Sequence, residues 1–114
     1  MTTVAFFTTP EIGLIGFRAS GHTGYADRGA DIVCAAVSAL TEATLNGLLN
    51  VVKAPVRYER DEERALLAAY LDPECAAEVR KQAQILLQTL REAAEAIARA
   101  YPDNVRIIFK ERRK

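Results

Sequence analysis

Apolar residues fall in short runs near the start of the chain and recur at helical spacing further on. Val4 to Thr8 is short, apolar and aromatic and predicts a strand. Pro10 and Glu11 interrupt it. Ile12 to Arg18 then resumes with Ile12, Leu14, Ile15 and Phe17, and the two runs predict a hairpin. Its inner face stays open, because the alternation breaks at Leu14-Ile15. Gly21, Gly24 and Gly29 make the stretch from Gly21 to Ala30 a shaped loop rather than a regular element. Asp31 fits a helix N-cap. Val33, Val37, Leu40, Thr44, Leu48 and Val51 then define one buried stripe of a helix over about 32–52. Ala35, Ala36, Ala39 and Gly47 keep its remaining surface small enough for a helix or a second chain to pack closely.

Pro55 ends that helix. Val56 to Arg60 predicts a polar, half-exposed strand, Asp61-Glu62-Glu63-Arg64 a charged turn, and Ala65 to Leu71 the hairpin partner, although Ala and Leu also suit a helix. Asp72-Pro73 predicts a helix start. Val79, Ala83, Leu86, Leu90, Ala93, Ile97 and Tyr101 form a second stripe, closed by Pro102. Val105 to Phe109 predicts a last strand with Val105, Ile107 and Phe109 on one face. The order β-β-α-β-β-α-β predicts an α+β domain, an antiparallel or mixed sheet packed against two long helices.

Composition narrows the function classes. The 114 residues, half of them hydrophobic, suit one domain over 1–114 with a core that needs no metal or disulfide staple. Fifteen basic and fifteen acidic residues cancel, which argues against broad capture of nucleic acid and leaves room for a local basic patch. The basic end from Lys110 to Lys114 reads as a solvated terminus. Two cysteines, Cys34 and Cys75, are too few for a disulfide framework. The first residues lack a charged leader, and no apolar run is expected to reach the ~20 residues of a membrane span. The expected setting is the reducing cytoplasm, with free thiols and no membrane partner.

The chemistry centres on Cys34, three residues past the expected cap. Unpaired amides and aligned peptide dipoles at a helix start favour a thiolate and can also stabilise an oxyanion. His22 is the one histidine of the chain and lies on the glycine loop twelve positions earlier. A loop of that length can bring an imidazole beside the thiol, to take its proton and return it to a leaving amine. Gly21 and Gly24 give the backbone freedom to approach a bound peptide. Cys34 on an apolar helix equally suits a small core residue. Ser38, one turn beyond Cys34, suits either a role at the site or a bond to the Cys34 carbonyl. Cys75, flanked by Glu74 and Glu78, reads as structural. One His and two distant Cys make a metal site unexpected, and no cofactor is expected.

Gly21-His22-Thr23-Gly24-Tyr25, Gly29 and the run from Asp31 to Leu40 together resemble the signature of the ribosomal-processing cysteine protease family. The element order resembles that family over the whole chain. Thr23 departs from it, since the family has alanine after the histidine. The resemblance implies a homodimeric cysteine endopeptidase whose partner is a precursor of large-subunit ribosomal protein twenty-seven. It would remove an N-terminal extension after an aromatic pair, received by a cleft for which Tyr25, Phe17 or Phe7 are candidates, with Cys34 as nucleophile, His22 as base, Asp31 supporting the pair and Ser38 in the same block. The loop over 21–30 is then expected to order on substrate. Two other classes compete. One is a non-catalytic, ribosome-associated or RNA-binding homodimer that uses the basic end. The other is a thiol redox protein, disfavoured because Cys34 and Cys75 make no Cys-x-x-Cys motif.

Overall fold

The computed structural model describes residues 1–21 and 28–112, with side chains except at 28–31. Its elements run β1 (Thr2–Thr9), β2 (Gly13–Ser20), α1 (Arg28–Asn46), continued by a π-helical turn over Gly47–Val51, β3 (Val56–Asp61), β4 (Leu66–Leu71), α2 (Ala77–Ala100) and β5 (Val105–Glu111). The five strands form one sheet in the order β3-β4-β2-β1-β5. All pairs are antiparallel except β1 with β5, which are parallel with Thr2 opposite Val105. The sheet is thus mixed, and the predicted element order holds.

The unresolved alternation in the first hairpin has a structural cause. The register between β1 and β2 shifts, with Phe7 opposite Gly16 but Thr8 opposite Leu14, so Ile15 is an extra residue. This bulge lets Leu14 and Phe17 enter the core on the helix side while Ile15 joins Ala5 and Phe7 on the other. The backbone of Leu14 is held from α2. Its amide donates to Gln84 Oε1 at 3.1 Å, and Gln84 Nε2 donates to its carbonyl.

The helices cover one face of the sheet. Val4, Phe6, Phe17, Ala19, Leu67, Ala69, Leu71 and Val105 pack against Val33, Val37, Leu45 and Leu48 of the first helix and Ala83, Leu87, Leu90 and Ala94 of the second. Five predicted stripe positions differ. The π turn rotates the end of the first helix, so Val51 is 79% exposed. Thr41 and Leu45 are buried where Leu40 only flanks the core. On α2 the stripe runs through Leu87 and Ala94, not Leu86 and Ala93, and Tyr101 is exposed. Gly47 admits the second helix closely, since a Cβ there would lie 3.0 Å from Leu86 Cδ1.

Helix boundaries also move. Asp72 does not cap α2, which begins at Ala77. Its side chain accepts from the Glu74 amide at 2.9 Å in a preceding turn. The first helix begins at Arg28, so Asp31 lies inside its first turn rather than before it. Contrary to expectation, Ile32–Val51 is long and apolar enough, by length and composition, to cross a membrane. A third of that stretch is buried in the domain, and its outward side carries Ile32, Ala35, Ala39 and Ala43. The charged turn between β3 and β4 is as expected, with Asp61 Oδ1 accepting from the amides of Glu63 and Arg64 at 3.1 and 3.3 Å.

Candidate active site

Cys34 projects from α1 into the angle between that helix and the start of β1. Its thiol is free and half-buried. Val33 on one side of it points into the core and Ala35 on the other points outward. Cys34, Val37, Ser38 and Thr41 share one line of the helix by their spacing of three to four residues. That line forms one wall of a cavity of about 300 Å³. Thr2, Ala19, Ser20 and Gly21 from the ends of β1 and β2 form a second wall. Glu42 and Arg60 close it, together with Asp61, Glu62 and Ala65 of the β3–β4 turn.

Thr2 is the closest partner of the sulfur. It is 5% exposed, and its Oγ1 lies 3.4 Å from Cys34 Sγ and 3.3 Å from the Gly21 carbonyl, to which it donates. A hydroxyl has one proton to give. With a neutral thiol it can donate to Gly21 and accept from the S–H. With a thiolate the same proton can turn to the sulfur. The Thr2 amide is itself fixed by the Asn104 carbonyl at 2.9 Å. Nothing in the sequence marks Thr2, because its role depends on a contact thirty-two residues away.

Gly21 begins the glycine loop with φ +88°, and a Cβ there would lie 2.7 Å from the Met1 carbonyl oxygen. Both the backbone angle and the space require glycine at this point. His22, Gly24 and Tyr25 lie outside the described residues, as does the side chain of Asp31. Ser38 is exposed on the cavity wall. Thr41, not Ser38, bonds back along the helix, with its Oγ1 donating to the Val37 carbonyl at 2.8 Å.

Three expectations need correction. Cys34 follows Arg28 by six residues, about 9 Å along the axis at ~1.5 Å per residue. The free amides of the first turn are therefore not beside the sulfur, and the Cys34 amide falls within the helical ladder. The hydrogen-bond partner of the sulfur among the described residues is the Thr2 hydroxyl instead. Phe17 is fully buried in the core, and Phe7 lies on the opposite face of the sheet, so neither lines the cavity. The charged rim was also missed. Arg60 bonds Glu42 through both carboxylate oxygens, at 3.2 and 2.7 Å. The hydrogen bond and charge of Glu42 raise the guanidinium pKa above its ordinary value, so the pair's cation persists at any physiological pH. Cys75 is free and packs against the core. No group of metal-ligating side chains occurs among the described residues.

Comparison with known proteins agrees with this geometry. The family model for cysteine protease Prp matches residues 1–106. The ribosomal processing cysteine protease Prp of Bacillus subtilis strain 168 is 27% identical over 95 residues, 83% of this chain and 85% of that one. The fold matches the crystal structure of an essential ribosomal processing protease Prp from S. aureus in complex with a substrate peptide. There the TM-score is 0.83 at 23% identity, covering 96% of this chain and all of the other. The same S. aureus enzyme with a covalently linked product peptide matches with a TM-score of 0.81 at 24% identity and the same coverage. A family match across nearly the whole of the folded chain, with a free thiol opening onto a cavity, places this protein in the cysteine protease Prp family.

Proposed function

We propose that the protein is a cytoplasmic endopeptidase that removes the N-terminal extension of large-subunit ribosomal protein twenty-seven. The observation that carries this reading is Cys34, a free thiol on the wall of a 300 Å³ cavity in a chain with a Prp family match. A peptide carbonyl held in that cavity meets the sulfur from the side opposite the helix. The thiolate attacks the carbonyl carbon, the amine leaves with a proton from His22, and water then hydrolyses the thioester with His22 as base. Thr2 supports the charge on sulfur before the attack. Ala19, Val37 and Leu67 offer apolar lining near the thiol for the residues before the cut, and Gly21 leaves the peptide backbone room. Gly24, Tyr25 and Ser38 complete the proposed binding residues, and Asp31 steadies His22.

The enzyme is proposed to act as a homodimer. The outward side of α1 supports this, since Ile32, Ala35, Ala39 and Ala43 present a nearly uncharged surface that water solvates poorly. Light scattering at working concentration checks it, and a monomer alone would count against the dimer.

The test of the function is incubation with a peptide spanning the extension junction, followed by mass analysis. Wild-type protein should cut once, after the aromatic pair. Cys34→Ala should abolish cleavage, and His22→Ala should slow it by about 100- to 10,000-fold. Undiminished cutting by folded Cys34→Ala protein would remove this cysteine from the mechanism.

A further inference from the structure

The face of the sheet turned away from the helices collects positive charge in a protein whose total charge is zero. Strand alternation and register put Arg57, Arg18, Arg106 and Lys110 on this face, and Arg112 follows on the same side. All five are exposed, and none has an ion-pair partner among the described residues. By the same alternation Glu59 and Asp61 lie on this face, with Asp61 at the edge turn, 3.7 Å from Arg64, while Glu11 and Glu74 line a cavity with Arg112 at one end of it. One row across the sheet reads Arg57, Tyr70, Gly16, Phe7, Lys110, so its two cations stand four strand spacings apart, roughly 19 Å at ~4.8 Å each. Arg112 bridges the middle of that row, 4.4 Å from the Phe7 ring centre and 4.9 Å from that of Tyr70. Arg57 lies 5.2 Å from Tyr70. The guanidinium groups are therefore held over rings rather than trailing in water.

We infer that this open face docks the phosphate backbone of a structured RNA. The face carries cations on its first, middle and last strands, which suits phosphates on both sides of a broad, shallow groove. A-form RNA presents such a minor groove, lined with 2′-hydroxyls. B-DNA offers its readable groove to a helix or a two-stranded ribbon, and a five-stranded face cannot enter it. A second copy of the chain would bring like charges together. A membrane would need apolar side chains to insert, yet Phe7 and Ile15 are covered, and apart from Met1 before the first strand the exposed Ile32, Val51, Ile85, Tyr58, Tyr101 and Phe109 lie on the helices, at the end of α2 or on the helix side. Cys34 opens on the other side of the sheet, so RNA and peptide can be held together. The inference stands whichever peptide the thiol cuts.

The experiment is fluorescence anisotropy with the full chain and a labelled RNA hairpin, against duplex DNA of the same sequence and anionic vesicles, over a range of salt. RNA should bind most tightly, with affinity falling steeply with salt. Arg18→Glu/Arg106→Glu should weaken RNA binding at least ten-fold and flatten the salt dependence. Lys81→Glu/Arg99→Glu, the same charge change on the outer side of α2, should leave it unchanged. Retention of the wild-type unfolding midpoint shows that the variants are folded. Crosslinking of wild-type protein to the hairpin, mapped by mass spectrometry, should mark β2 and β5. Equal loss in both double variants, crosslinks confined to α2, absence of RNA binding, or equal binding of DNA or vesicles would each overturn the inference.

Discussion

The two faces of the sheet are made by the same five strands and have opposite characters. On the covered face Val4, Phe6, Phe17, Ala19, Leu67, Ala69, Leu71 and Val105 exclude water beneath two helices. On the open face the buried set is smaller, Ala5, Phe7, Ile15, Leu66 and Ala68, and part of its cover comes from Ile12, Tyr70 and Ile108 and from Arg112 over the Phe7 ring. Because side chains alternate along a strand, every second residue was free to take a different task. Stability resides on one face and charge on the other, and the cysteine belongs to the rim of the stable one. The proposed nucleophile is thereby held on packed elements, where a displacement of ~1 Å would be costly in rate.

Substitutions can break this contrast, beginning with the largest effect. Phe17→Ala empties the centre of the covered face and should cost about 3–5 kcal/mol in denaturant unfolding. Gly16→Ala should cost about 3 kcal/mol, although it lies on the open side. The new Cβ would sit 2.4 Å from the Ala69 carbonyl oxygen, so the sheet itself must shift. Gln84→Ala should cost about 1–3 kcal/mol by stranding the Leu14 backbone at the bulge. Thr2→Val keeps the shape of the side chain but removes its bond to the Gly21 carbonyl, and should cost about 1 kcal/mol. It should lower kcat about ten- to a hundred-fold at constant KM and slow alkylation of Cys34, with Thr2→Ser restoring both, as expected for a hydrogen bond of ~1.5–3 kcal/mol to a charged group. Arg112→Ala should shift stability by less than about 1 kcal/mol while weakening RNA. A large loss of stability from Arg112→Ala would mean that the open face also contributes to folding.

Much of this was legible in the sequence because it rests on local periodicity. The β-β-α-β-β-α-β order, the turn at Asp61 to Arg64 and the shared face of Val105, Ile107 and Phe109 follow from patterns a few residues long. The misreadings have physical causes. Asp31 and Asp72 suit a cap, but capping preference identifies a good first residue without saying which good residue is used. The bulge at Ile15 and the π turn at Gly47–Val51 each insert a residue's worth of phase, which defeats any fixed spacing. Cys34 and Ser38 could be singled out from their motif, and the structure brings both to one cavity. Thr2, Glu42 and Arg60 could not, because each enters the site through contacts between distant elements.

The parallel pairing of β1 with β5 makes the Thr2 contact a product of long-range closure. Thr2 is held by Asn104 and Val105, about a hundred residues further along the chain. A loop of that length has to close before the hydroxyl beside Cys34 has a fixed place. Any change that frays β5 should therefore loosen the surroundings of the thiol, although no residue of β5 touches the sulfur.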